Sequence, residues 1–139
     1  MHTTPEQVEN QIVAAHAAYE QARDVEPQVR GSWLEAIAAA LEANADELVG
    51  LGEQETHLDR GRLRFELKRS VFQLRLFRSE ILAGEHLGAI IDHADQDWGM
   101  GPRPDLRRVN VPLGVVGVFG ASNFPFAFSV MGGDTASAL

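Results

Sequence analysis

Val115-Val116-Gly117-Val118-Phe119-Gly120-Ala121-Ser122-Asn123-Phe124-Pro125 decides how the rest of the chain is read. It opens on a short apolar run, rich in β-branched valine and interrupted by one glycine. Such a run, bounded by turn formers, predicts a strand buried on both faces, as in a parallel sheet. Three small residues follow, Gly120-Ala121-Ser122, which let a ligand approach the backbone closely. Asn123 brings a neutral amide with both donors and an acceptor. Pro125 suits the first position of a helix, and an apolar segment with Phe126, Phe128, Val130 and Met131 comes after it. A strand, a tight loop and a helix in that order is how open α/β sheets build ligand sites beyond the carboxyl ends of their strands.

Upstream, the spacing predicts helices. Thr4, Pro5 and Gln7 form a capping-box signature. Val8, Ile12, Ala15, Tyr19 and Ala22 then recur at spacings of four and three, one apolar stripe on a helix reaching about Asp24. Pro27 restarts the chain, and Val29, Trp33, Ile37 and Leu41 make the next stripe. Asn44 stops it. A shorter helix carries Leu48, Val49 and Leu51, weakened by Gly50 and Gly52. Leu63, Leu67, Val71, Leu74, Phe77 and Ile81 outline the longest helix, which ends at Gly84. Arg60, Arg62, Arg64, Lys68, Arg69, Arg75 and Arg78 concentrate positive charge on that helix. The two readings are a solvated face or partner for the acidic preceding helices, and a phosphate or nucleic-acid surface.

After Gly84 the pattern changes. The stretches 87–91 and 106–111 predict two strands joined by a loop containing the turn formers of 99–104. The organisation expected is therefore a helical part at 1–86, a strand pair at 87–111 and the start of an α/β unit at 112–139. The fold class is α/β: a helix-rich first part, a hairpin-like excursion, then the first strand-loop-helix of a Rossmann-like domain.

The 139 residues suffice for one ordinary domain, and a net charge of −8 argues against general nucleic-acid affinity. Cysteine is absent, which excludes disulfides, thiolate metal sites and a cysteine nucleophile from these residues. The N-terminus is polar and acidic rather than signal-like, and the apolar runs are too short to span a bilayer. A cytoplasmic location and no membrane contact are the expectation. His2, His16, His57, His86 and His93 share no metal-ligand spacing; the acidic turn Asp92, Asp95, Asp97 beside His93 lacks the EF-hand pattern. No metal is expected. Ser122 and Ser129 lack a nucleophile-elbow context.

The segment Val118–Pro125, with Gly132-Gly133-Asp134-Thr135-Ala136-Ser137-Ala138-Leu139, Pro102–Arg107 and, more loosely, Gln73–Phe77, resembles the NAD(P)-dependent aldehyde dehydrogenases. The resemblance spans the whole chain but only the first part of the family's chain. Most relatives have Pro-Trp before the asparagine. Ala121-Ser122 here is similar to the branch oxidising 2,5-dioxopentanoate (α-ketoglutarate semialdehyde) or long-chain fatty aldehydes, often with NADP.

The resemblance implies that Asn123 is the oxyanion-hole asparagine, and that Phe119, Gly120, Ala121 and Ser122 touch the nicotinamide end of NADP or NAD. It further implies that 87–111 contributes to a homo-oligomer, a dimer or tetramer, and that the substrate is an aldehyde. Two bland alternatives stand beside it: Asn123 as the N-cap of a helix begun at Pro125, and 119–122 as an ordinary tight turn. The family's cysteine nucleophile, glutamate base, ribose-side lysine and glycine-rich cofactor turn come later in its chain. The 139 residues alone are therefore expected to be inactive, and the uncovered strand at 115–119 to mark the front of a longer chain. The competing class is a non-catalytic helical interaction module.

Overall fold

The computed structural model describes residues 3–139; His2, one of the five histidines considered above, lies outside them. Four helices come first, α1 (Pro5–Ala22), α2 (Pro27–Ala43), α3 (Ala45–Thr56) and α4 (Arg60–Ala83). A 3-10 turn at Glu85–Leu87 leads to β1 (Ile90–Asp92) and β2 (Leu106–Arg108), and the chain ends with α5 (Gly133–Ala138).

The helix boundaries follow local chemistry. At α1 the expected capping box is present. The Gln7 N–H donates to Thr4 Oγ1 at 3.2 Å, and the Thr4 N–H donates to Gln7 Oε1 at 2.8 Å. At α4 the N-cap Asp59 accepts from the Arg62 N–H at 3.0 Å. Gly84 stops α4 in the left-handed region, at φ 76°, where a side chain is disfavoured. His57 ends α3 in the same region without being glycine.

α4 is the central element. It packs along α2, touches α3 and carries α5. One cluster joins Leu34 and Ala38 of α2 to Val71, Leu74 and Ile81 of α4, with Ala136 of α5. A second joins Val49 of α3 to Leu63 and Leu67 of α4, and the Phe126 ring packs against it. The stripe expected on α2 is rotated. Leu34 and Ala38 are fully buried, whereas Val29 is 43% exposed and Trp33 lies at the rim. Ile37 and Leu41 do face the core. A helix meets its neighbour along a band about two side chains wide, and spacing alone does not say which flank of the band is deeper. The stripe on α1 buries nothing: no residue of α1 is buried, and Val8 and Ile12 are exposed.

The arginines of α4 partner the acidic helices, as the first of the two charge readings expected. Arg60 meets Glu53 at 2.7 Å and Arg64 meets Asp46 at 2.6 Å, both on α3. Arg75 bridges Glu42 at 2.8 Å and Glu35 at 3.0 Å, both on α2. The hydrogen bond from Arg75 holds the Glu42 carboxyl below its ordinary range.

β1 and β2 pair antiparallel in the register Ile90 with Arg108, Ile91 with Arg107 and Asp92 with Leu106. The pairing extends into the loop through Asp95 and Arg103, which exchange backbone bonds of 3.0 and 2.8 Å. The hairpin expected over 87–111 therefore forms, and its residues are exposed on both faces.

Two expectations for the last third are corrected. Residues 115–119 form no strand: Val115 and Val116 are 44% and 45% exposed, and Phe119 is 90% exposed. A buried strand exists only with neighbours on its edges, and among the described residues β1 and β2 pair only with each other. Nor does a helix start at Pro125. Residues 122–131 are a series of turns, and the only helix of that region among the described residues is the six-residue α5. One helical bond is present, from the Phe128 N–H to Phe124 O at 3.2 Å, but the bonds around it do not continue a helix. The Ala121 N–H donates to Phe128 O at 2.7 Å, the Phe126 N–H reaches α4, and Gly133 N–H returns to Ala127 O at 3.1 Å.

Candidate functional site

The loop 119–128 lies across α4 and is gripped by it. Arg62, Glu66 and Ser70 recur every fourth residue, so they line one face of the helix. The Glu66 side chain is only 5% exposed, and it accepts from Arg62 Nε at 2.9 Å. Its other oxygen accepts from the Phe126 N–H at 3.4 Å. Ser70, also buried, donates to the Phe126 carbonyl at 2.8 Å. Arg62 Nη2 donates to the Asn123 carbonyl. Both polar groups of the Phe126 backbone, which a turn leaves without a helical partner, are thus met by side chains.

The rings of the loop add a second grip. The Arg62 guanidinium lies 5.0 Å from the centre of the Phe124 ring, and the Arg69 guanidinium 4.8 Å from that of Phe128. Phe124 and Phe128 meet edge to face at 5.3 Å. The Phe126 ring enters the gap left by Gly52 on α3, where a Cβ would come within 3.1 Å of it. Gly52, which weakens the helix by sequence, is therefore the seat of the Phe126 ring.

Against this fixed backbone, the side chain of Asn123 is exposed and its amide has no hydrogen-bond partner among the described residues. It caps no helix, so the N-cap alternative is set aside. An unpaired amide on a firmly held loop can donate to negative charge developing on a ligand without losing a proton.

Phe119, Gly120 and Ser122 are exposed, and Ala121 is half-buried with its N–H spent on Phe128 O. Of these four, only Phe119 lines the open groove of about 440 Å³ nearby, together with Val116, Gly117, Val118, Asp134 and Ser137. The exposed Phe119 ring and the mainly apolar lining make a surface on which a flat ring could rest. Asp134 also lines the groove, and its carboxylate would repel an anionic group there.

Among the described residues no three histidine, cysteine, aspartate or glutamate side chains gather as metal ligands. No helix among them is long and apolar enough to cross a membrane. Spacing alone places Arg62 and Arg69 on the outer face of α4, solvated or paired with the acidic helices, and gives Glu66 and Ser70 no role. The available signal was their position: two polar residues set within the stripe Leu63, Leu67, Val71, Leu74.

Comparison with known proteins identifies the family of the chain. The aldehyde dehydrogenase family matches residues 1–139. The chain is 51% identical over 138 residues to Alpha-ketoglutaric semialdehyde dehydrogenase 2 of Azospirillum brasilense, covering 91% of this chain and 26% of that protein. It is 40% identical over 136 residues to Alpha-ketoglutaric semialdehyde dehydrogenase of Acinetobacter baylyi, covering 98% of this chain and again 26% of the relative. The chain therefore spans about a quarter of the length of these relatives. It belongs to the aldehyde dehydrogenase family.

Proposed function

We propose that the polypeptide containing this chain oxidises 2,5-dioxopentanoate to a carboxylate, with Asn123 as a donor to the oxyanion. The observation that carries the role is the free amide of Asn123 on a loop held at Phe124, Phe126 and Phe128. The names of both relatives favour the semialdehyde over a long-chain fatty aldehyde. Membership in the family favours an enzyme over a helical interaction module.

The chemistry needs a nucleophile to attack the aldehyde carbon, and we place it, as a cysteine, outside these residues, with the base that activates water for release of the thioester. As the carbonyl becomes tetrahedral its oxygen gains negative charge, and the Asn123 amide donates to that oxygen. Bound NADP or NAD supplies the hydride acceptor. Phe119, Gly120, Ala121 and Ser122 would line its nicotinamide end and help to exclude water there. The exposed apolar residues Ile90, Ile91 and Leu106 of the hairpin suit a contact between copies in a dimer or tetramer. A cytoplasmic location is part of the same proposal, and the acidic composition favours solubility.

The test uses the full-length gene product with 2,5-dioxopentanoate and each cofactor. Asn123→Ala is expected to lower kcat by about 10²–10³-fold with little change in KM. An unchanged kcat overturns the role of Asn123. No turnover of the unaltered protein with either cofactor overturns the substrate.

A further inference from the structure

We infer that Glu66 and Ser70, with Arg62, are positioning residues that set the Asn123 loop by holding the Phe126 peptide from both sides. The inference rests on the role of Asn123 proposed above.

A buried carboxylate is a costly way to fill space. Glu66 is 4% exposed overall on a helix face otherwise built of Leu63, Leu67, Val71 and Leu74. An apolar residue of similar volume would pack at least as well, because taking the charge out of water offsets most of what the ion pair returns. What an apolar residue lacks is direction. Glu66 uses one oxygen on Arg62 and the other on the Phe126 N–H, while Ser70 donates to the Phe126 carbonyl. With the N–H and C=O of one residue both held, the two peptide planes flanking Phe126 have little freedom to rotate. Phe126 is three residues from Asn123, whose own carbonyl is held by the same Arg62.

Sequence separation makes the arrangement specific to the fold. The bonds join residues 56, 60 and 61 positions apart. No local turn preference accounts for them. Ser129 Oγ also donates to the Phe126 carbonyl, at 3.1 Å, so Ser70 shares that acceptor and Glu66 alone serves the N–H. Glu66 is therefore the more demanding of the two.

The test compares Glu66→Ala, Glu66→Gln and Ser70→Ala in the full-length gene product. Amide exchange is read over 121–128, with the amides of α2 as a control for folding. Glu66→Ala is expected to raise exchange in 121–128 by about tenfold or more while α2 keeps its protection. Glu66→Gln, which retains an acceptor for Phe126, is expected to recover most of that protection. On 2,5-dioxopentanoate, Glu66→Ala is expected to lower kcat by about 10–100-fold with KM nearly unchanged, since a misplaced donor acts on the transition state. Glu66→Ala added to Asn123→Ala is expected to cost nothing more.

If Asn123→Ala lowers kcat but Glu66→Ala leaves both exchange and kcat unaltered, this inference falls and the role of Asn123 stands. If the α2 amides lose protection equally, Glu66 is structural and the inference falls. If Asn123→Ala leaves kcat unchanged, the role of Asn123 and this inference fall together.

Discussion

Leu34 and Val29 sit on the same helix, and the contrast between them tests the packing of α2 on α4. Leu34 is 0% exposed and contacts the cluster of Val71, Leu74 and Ile81. Truncating it to alanine removes three buried carbons, about 2.4 kcal/mol of transfer at roughly 0.8 kcal/mol each. The walls of the gap belong to two rigid helices and collapse incompletely, so a cavity contribution brings the expected loss to about 3–4 kcal/mol. Val29 is 43% exposed. Val29→Ala loses about 1 kcal/mol of burial at most. It regains roughly half of that through the better helix propensity of alanine.

The assay is native-state amide exchange across α2 and α4 in the full-length gene product, which reads local opening without requiring one cooperative transition. At about 1.4 kcal/mol per decade, Leu34→Ala is expected to speed exchange by about 10²–10³-fold, and Val29→Ala by less than about threefold. Equal effects of the two variants, or less than a tenfold effect of Leu34→Ala, would refute the observed rotation of α2. They would restore the stripe through Val29 and Trp33.

Gly84→Ala is expected to cost about 1 kcal/mol, seen as faster exchange in the last turn of α4. Its φ is 76° and a Cβ there meets nothing within 4 Å, so the whole cost is conformational; Gly84→Asn is expected to lose less. Arg75→Met is expected to lower resistance to urea near neutral pH. Because the folded Glu42 carboxyl is held below its ordinary range, its bridge to Arg75 stabilises above the unfolded value and is lost as pH falls through the folded one. The difference between Arg75→Met and the unaltered protein is therefore expected to close on acidification, and also in high salt, measured as urea midpoints. Retention on a polyanion resin at low salt is not expected, since Arg60, Arg64 and Arg75 are committed to carboxylates of α2 and α3.

The parts legible in the sequence are those whose causes are local. Thr4 with Gln7, Pro27, Asn44 and Gly84 mark helix ends because caps and breakers act within four residues of themselves. The hairpin was legible for the same reason, two apolar runs around a loop of turn formers. The Asn123 motif was legible as a resemblance, and the family match over 1–139 agrees with it.

Contact decided the rest. Val115–Phe119 has the composition of a buried strand, but a strand requires a partner, and among the described residues β1 and β2 have only each other. Phe126–Met131 has the apolar content of a helix, yet its backbone groups are met by Glu66, Ser70 and the loop itself. Glu66 and Ser70 look misplaced within the apolar stripe of α4 as long as only neighbours in sequence are considered. Their partners lie 56 to 60 residues away, and only the folded chain brings a peptide with a free N–H and C=O against that face. Periodicity reports which residues share a side of a helix; what arrives on that side is determined by the whole chain.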